Sequence, residues 1–303
     1  MRRLAALIAL AVALVVLPAA GAFADELADY LEAAEQADYS GRQLVVTIVE
    51  GSTTAEIYDV DHGGGVMMVD DDTIVGAGSV RDESEGVEVS EWNSDTMGPR
   101  YNTADPTPVM RLGRDAVQID VFEDELLRAR MVFDTESSAP MMTQVFDGSG
   151  QVFRWSSMLD FSPTASPTMK TMGRDAEVEI LMTSATVDLP QSAAGYLRQD
   201  AYVGPNDGVH AFYSDGLFSF SVFDLSGDVD VDEFDTAPRF EANGYEYHRL
   251  VTPSDMWVKW ERGDHTYLLV GDLPPDHLED VLTELPRPQG LNFFQRMWKG
   301  LFG

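Results

Sequence analysis

The sequence predicts an α+β protein: an antiparallel sheet that curls over a helix, followed by a smaller α/β domain. Three observations support this prediction. One amphipathic segment near the start has helical spacing, many later segments alternate polar and apolar residues, and short Gly/Asp/Ser turns separate those segments. One helix followed by many strands is typical of α+β folds, whereas a parallel sheet needs strands and helices in alternation.

The opening helix is predicted over residues 26–38. Asp25 is a suitable N-cap, and Tyr39-Ser40-Gly41 ends the pattern. The apolar side chains recur at the spacing of one helix face: Leu27, Tyr30, Leu31 and Ala34.

Strands are predicted on both sides of the turn Gly51-Ser52, and three more between residues 126 and 161. Asp147-Gly148-Ser149-Gly150 is the tight turn between the last two of these three. The predicted strands of this half are 44–49, 55–60, 66–69, 73–75, 117–122, 127–133, 141–146 and 152–161. Residues 81–108 are polar and are expected to form long connections.

The chain is expected to divide into a first domain over 25–161, a linker rich in Ser, Thr and Pro over 162–175, and a small domain over 176–286. A helix is predicted to open at Pro274-Pro275. The small domain's strands are predicted near 176–182, 208–213, 217–224, 256–260 and 266–270.

Residues 1–24 have the three parts of a signal peptide: the basic start Met1-Arg2-Arg3, an apolar run, and the cleavage motif Ala22-Phe23-Ala24. We therefore expect an exported protein, released as a soluble periplasmic or extracytoplasmic molecule; a transmembrane anchor is the alternative. The sequence contains no Cys, which excludes disulfides and the cysteine-linked lipid anchor of bacterial lipoproteins.

The formal net charge is −32, so nucleic acid and anionic membrane surfaces are disfavoured as general partners. A basic partner, a saline habitat or a solubilising acidic coat would each fit this charge.

No motif indicates catalysis, a metal or a cofactor. The five histidines show no metal-ligand spacing, no phosphate-binding loop is present, and Ser149 lies in a hairpin turn rather than in a nucleophile motif. We therefore expect a protein that is not an enzyme.

Two apolar groups are candidate binding residues. The first could line a lipid-sized cavity under the curved sheet, or form an ordinary core: Met131, Phe133, Met141, Phe146, Phe153 and Trp155. The second belongs to the aromatic and basic tail over 287–303, which could contact a membrane or partner, or fold back onto its own domain: Phe293, Phe294, Met297 and Trp298.

Residues 213–222 read Y-S-D-G-L-F-S-F-S-V. This segment is nearly identical to a stretch of the RseB/MucB family of regulators of extracytoplasmic-stress sigma factors, which the chain resembles. Asp134-Thr135-Glu136-Ser137 with Pro140-Met141 resembles a family hairpin, and Val270-Gly271-Asp272-Leu273-Pro274-Pro275 resembles the segment before its last helix.

The resemblance implies a LolA-like half-barrel that cups helices, followed by a small C-terminal domain. It also implies binding to the extracytoplasmic domain of a membrane-spanning anti-sigma factor, protection of that factor from regulated proteolysis, and release by a lipid-type signal. A lipid or lipoprotein carrier is the alternative function. The candidate partner-binding residues, which could equally form a structural hairpin, are Tyr213, Ser214, Asp215, Gly216, Leu217 and Phe218.

Overall fold

Two antiparallel sheets, each covered by one helix, form the described part of this computed structural model. We call them the N-terminal sheet and the C-terminal sheet. The structure describes residues 25–49, 52–63, 66–69, 73–76, 79–82, 85–86, 100–165, 188–203, 208–226, 234, 236–253 and 255–288.

Helix α1 (Asp25–Gln36) precedes the twelve strands of the N-terminal sheet. These strands are β1 (Tyr39–Val49), β2 (Ser52–Gly63), β3 (Val66–Val69), β4 (Thr73–Gly76), β5 (Ser79–Asp82), β6 (Glu85–Gly86), β7 (Tyr101–Thr103), β8 (Thr107–Arg111), β9 (Arg114–Glu123), β10 (Leu126–Asp134), β11 (Pro140–Phe146) and β12 (Val152–Met158). Their order is β6-β5-β4-β3-β2-β1-β12-β11-β10-β9-β7, with β8 also paired to β9. The sheet is open, because β6 and β7 are not joined.

The C-terminal sheet has eight strands and ends with helix α2 (Pro275–Glu284). Its strands are β13 (Ser192–Ala193), β14 (Tyr196–Val203), β15 (Val209–Ser214), β16 (Ser219–Ser226), β17 (Arg239–Ala242), β18 (Tyr245–Val251), β19 (Met256–Arg262) and β20 (His265–Gly271). The order β13-β14-β15-β16-β20-β19-β18-β17 places β16 beside β20 at the centre. Pro275 starts α2, as the sequence predicts.

The main hydrophobic core fills the space between each sheet and its helix. In the N-terminal half, Leu27 and Leu31 of α1 belong to the same cluster as Ile119, Met131 and Phe133. In the C-terminal half, α2 contributes Leu278, Val281 and Leu282, and the sheet contributes a set rich in aromatic side chains. This set includes Tyr196, Tyr213, Phe218, Phe220, Tyr247, Trp260 and Tyr267. The period of helix and strand thus selects the buried face in both halves.

The predicted α+β class and the hairpin series over 126–161 are confirmed. The expectation of connections throughout 81–108 is wrong, since β7 and the start of β8 pair with β9. Strands β5, β6, β13, β14, β17 and β18 are also absent from the predicted ones. The predicted signal peptide over 1–24, the strand near 176–182 and most of the tail lie outside the described residues.

The division into domains stays a prediction. The first residues of the predicted linker are described, and Ser162 is held to the N-terminal sheet, where its backbone N–H donates to the carbonyl oxygen of Ser40 at 2.8 Å. In the described part of the chain, no helix is long and apolar enough to cross a membrane.

Candidate functional site

The loop that the sequence singles out connects β15 to β16 and is buried. Tyr213, Ser214, Asp215, Leu217 and Phe218 each expose 6% of their surface or less. Tyr213 stacks on Phe220 with ring centroids 4.8 Å apart, and its hydroxyl donates to the carbonyl oxygen of Pro190 at 2.8 Å. Gly216 has a φ of 95°, a conformation that favours glycine. Direct contact of these side chains with a partner stays a prediction; in this structure they face the interior.

Asp215 uses its two carboxylate oxygens for different contacts. Oδ1 accepts the backbone N–H groups of Leu217 at 3.0 Å and Phe218 at 2.9 Å, which fixes the turn. Oδ2 accepts the Tyr101 hydroxyl at 2.6 Å and lies 3.2 Å from Nη1 of Arg100. Tyr101 begins β7, so one carboxylate holds the loop of the C-terminal sheet against the N-terminal sheet.

Arg100 is the most highly connected side chain at this junction. Its Nε donates to Oε1 of Glu123 at 2.7 Å, within the N-terminal sheet. Its Nη1 donates to the carbonyl oxygen of Ala194 at 3.0 Å, and its Nη2 lies 3.1 Å from Nε2 of His277. One guanidinium group therefore joins β9 to three separate places around the C-terminal sheet, a use that suits its planar set of donors.

A second arginine, Arg128 on β10, extends the network to the start of α2. Its Nε donates to Oε2 of Glu123 at 2.7 Å, and its Nη2 lies 2.8 Å from Oδ2 of Asp276. The backbone N–H of Gly148 donates to Oδ1 of Asp276 at 2.9 Å. Burial alone would raise the pKa of Glu123, but hydrogen bonds and the charge of Arg100, with help from Arg128, lower it to about 2.

His277 lies at the centre of these charges and is 3% exposed. Nδ1 is 2.7 Å from the Tyr196 hydroxyl, and Nε2 is 3.1 Å from Oε2 of Glu123. Burial and then the nearby charges of Arg100 and Arg128 lower the pKa of His277. A neutral ring with its proton on Nδ1 accepts from Arg100 at Nε2 and donates to the Tyr196 oxygen, whereas a proton on Nε2 donates to Glu123 and leaves Nδ1 to accept from the Tyr196 hydroxyl.

A second junction contact lies beside β1 and β12. The Thr47 hydroxyl donates to the carbonyl oxygen of Pro253 at 2.7 Å, and Nε of the buried Arg154 donates to that hydroxyl at 3.4 Å. Asp272, on the C-terminal side, accepts the backbone N–H of Ser219 at 3.0 Å. Burial raises the pKa of Asp272 to about 6, and the charge of Arg154 opposes this rise only in part.

An open cavity of about 450 Å³ lies next to the arginine network. Its lining comes from the N-terminal sheet with its loops and from helix α2, and all members but Leu126 are polar or charged: Arg100, Glu123, Asp124, Glu125, Leu126, Arg128, Asp276, His277 and Asp280. Among the described residues, no group of three or more His, Asp and Glu side chains is arranged to hold a metal ion. Chemically, this arrangement supports binding and positioning through charge and hydrogen bonds.

The six candidate lipid-contacting residues do not share one surface. Met131, Phe133 and Phe153 belong to the main core, where Tyr30 of α1 stacks on Phe133 at 5.4 Å. Met141 belongs to a separate cluster with Ala116 and Val132. Phe146 is buried and Trp155 is partly exposed. A lipid-binding role for them stays a prediction. The tail residues Phe293, Phe294, Met297 and Trp298 lie outside the described residues.

Comparison with known proteins identifies the fold. No protein-family model matches the sequence, and no curated protein matches it. Among solved structures, the Pseudomonas aeruginosa MucA/MucB complex contains a chain with 16% identity and a TM-score of 0.51, covering 86% of this chain and 99% of that one. MucB in complex with MucA(peri) gives 17% identity and a TM-score of 0.51, covering 88% of this chain and 100% of that one. The chain has the MucB fold.

The MucB fold covers both sheets, so the resemblance detected from three short motifs extends to the architecture as a whole. A LolA superfamily protein from Nitrosomonas europaea aligns with 8% identity over 82% of this chain and 94% of that one, but its TM-score of 0.19 is too low to support an argument.

Sequence reasoning missed Arg100, Glu123, Arg128 and His277. They lie far apart in the chain and meet only because β9, β10 and α2 converge, so no local pattern marks them. The β17–β18 hairpin, in contrast, carries a local signal that was overlooked. Asn243-Gly244 with positive φ at both positions is the preferred two-residue hairpin turn.

Proposed function

We propose that this protein is an exported, non-enzymatic regulator that binds the extracytoplasmic domain of a membrane-spanning anti-sigma factor. In this proposal, binding protects the anti-sigma factor from regulated proteolysis, and a lipid-type signal ends the protection. The observation that carries the proposal is the MucB fold over both sheets, since the matched MucB chains are in complex with MucA.

Two features of the sequence support the same proposal. The predicted signal peptide would bring the protein to the side of the membrane where such a domain is exposed. The charge of −32 favours a basic partner segment, and electrostatic attraction between unlike surfaces accelerates association and suppresses wrong partners.

The test is a binding measurement with a defined probe. The purified protein, without residues 1–24, is titrated with the extracytoplasmic domain of the anti-sigma factor encoded beside it. We expect saturable binding at low salt that weakens but persists at moderate salt, because only part of the attraction is screened. A saturated complex should also slow cleavage of the anti-sigma domain by its cognate protease.

A charge-matched control separates recognition from acidic attraction. The same anti-sigma domain with its sequence scrambled keeps its net charge and should bind at least about tenfold more weakly. Absence of binding at both salt concentrations, or equal binding of the scrambled domain, would contradict the proposal.

A lipid or lipoprotein carrier is the alternative that the sequence suggested. Three of its candidate residues are packed against α1 and the core, which gives this alternative less support. Mass spectrometry of protein purified without detergent distinguishes the carrier from the regulator, because a carrier would retain a stoichiometric acyl ligand and need no protein partner.

A further inference from the structure

The two sheets meet through side chains. In the described part of the chain, the hydrogen-bonded strand pairing stays within one sheet or the other. The junction is bridged by directed polar contacts and also by apolar packing, because one core cluster contains buried side chains of both halves and Tyr101 lies edge-on to Phe218 at 6.2 Å. Apolar packing does not depend on direction, so the hydrogen bonds and ion pairs, which require a fixed geometry, are the contacts able to set one orientation of the two halves.

Arg100 and Tyr101 are neighbours in the chain, and both reach the same oxygen of Asp215. The other oxygen of Asp215 fixes the turn at Leu217 and Phe218. The Asp215 side chain is 1% exposed, so water competes little for these contacts. A change in the position of β7 would therefore act on the loop that carries the family-like motif.

We infer that Arg100, Tyr101 and Asp215 form a lock that sets the orientation of the C-terminal sheet against the N-terminal sheet, and that partner binding depends on it. They are positioning residues, because their side chains are occupied by contacts between the sheets. The dependence of partner binding on the lock rests on the proposed function, whereas the effect of the lock on orientation does not.

Orientation is measured first, without any partner. The absence of Cys allows spin labels to be placed at Ala55→Cys and Glu241→Cys, two exposed positions on different sheets. Double electron–electron resonance should give a narrow distance distribution for the parent protein. Arg100→Met and Asp215→Asn should broaden or shift it, and Tyr101→Phe should do so to a smaller extent.

Arg130→Met is the matched control. Arg130 makes a two-point pair with Asp120 at 2.8 Å for both contacts, but both residues belong to the N-terminal sheet. This variant loses an arginine–aspartate pair without touching the junction, so its distance distribution should equal that of the parent. Asp215→Asn retains an oxygen for the turn, and circular dichroism verifies that each variant is folded.

Binding of the anti-sigma domain is then measured on the same proteins. Arg100→Met and Asp215→Asn should weaken it by about tenfold, and Arg130→Met by less than about twofold. If Arg100→Met and Asp215→Asn give the same distance distribution as the control Arg130→Met, the inference of a lock is overturned. Broadened distributions with unchanged affinity would overturn the dependence of binding on it. If the parent protein itself does not bind, the proposed function fails, while the distances still decide whether the lock exists.

Discussion

The core under the N-terminal sheet and the junction between the sheets are stabilised in different ways. Around Phe133 and Met131 the contacts are apolar, and both side chains are nearly fully buried against α1. At the junction, Arg100 and Arg128 are surrounded by carboxylates and a histidine. Apolar packing does not depend on direction, whereas a hydrogen-bonded ion network fixes one geometry and loses its effect when one member is removed. We therefore expect the core to contribute mainly stability, and the directed contacts of the junction to set orientation in addition to some stability.

The largest effect is expected in the core. Phe133→Ala should reduce the free energy of unfolding by about 3–5 kcal/mol, because it removes a buried ring that Tyr30 cannot replace. Urea unfolding followed by circular dichroism measures this loss. The control Leu112→Ala, at a position 43% exposed, should change stability by less than about 0.5 kcal/mol. A similar loss in the two variants would contradict the assignment of Phe133 to the core.

Arg100→Met should have a smaller effect on stability, about 1.5–3 kcal/mol, since charged hydrogen bonds are lost but the side chain is 23% exposed. Unfolding should remain one cooperative transition, because the apolar cluster shared by both halves still couples them. One unchanged cooperative transition, with the stability of the parent protein, would show that Arg100 contributes little.

The pH dependence of stability distinguishes the junction from the core. The pKa of Glu123 is lowered from 4.5 to about 2 in the folded protein, so the unfolded chain binds the proton more tightly. Glu123 therefore contributes stability above pH 4.5, and this contribution is lost as the pH falls toward 2. The stability difference between the parent and Glu123→Gln should shrink over that range in unfolding measurements.

Asp272 is a control, because its contribution to folding stability should change with pH in the opposite direction. Its pKa is raised from 3.8 to about 6, so the folded protein binds the proton more tightly, and its stabilising contribution is lost as the pH rises through 6. As the pH rises from 3.8 to about 6, Asp272→Asn should therefore gain stability relative to the parent protein. The same pH trend in both variants would contradict the two environments described for these carboxylates.

The smallest effect is expected for Tyr101→Phe, about 0.5–1.5 kcal/mol. This change removes one hydroxyl, while Arg100 still faces Asp215 and the ring still contacts Phe218. Thermal unfolding measures the change, and the double variant with Arg100→Met tests coupling. Additive losses would mean that the two residues act independently, which would weaken the description of one connected junction.

The sequence by itself determined the elements whose patterns are local. The apolar stripe of α1, the hairpins between 126 and 161, and the proline start of α2 follow from periodicity and turn residues alone. β14 escaped prediction because a register irregularity between Arg198 and Asp200 interrupts its alternation. The family-like motifs gave the expected fold, and the structure agrees with it.

Only the tertiary structure decided which distant residues meet. The pairing of β1 with β12 joins segments about a hundred residues apart, and Arg100 reaches His277 across the junction. It also decided that the loop at Asp215, which the sequence offered either as a partner-binding site or as a structural hairpin, faces the interior. The physical reason is that strand and helix periods fix which face is apolar, whereas the partner of a buried charge depends on how whole sheets are arranged.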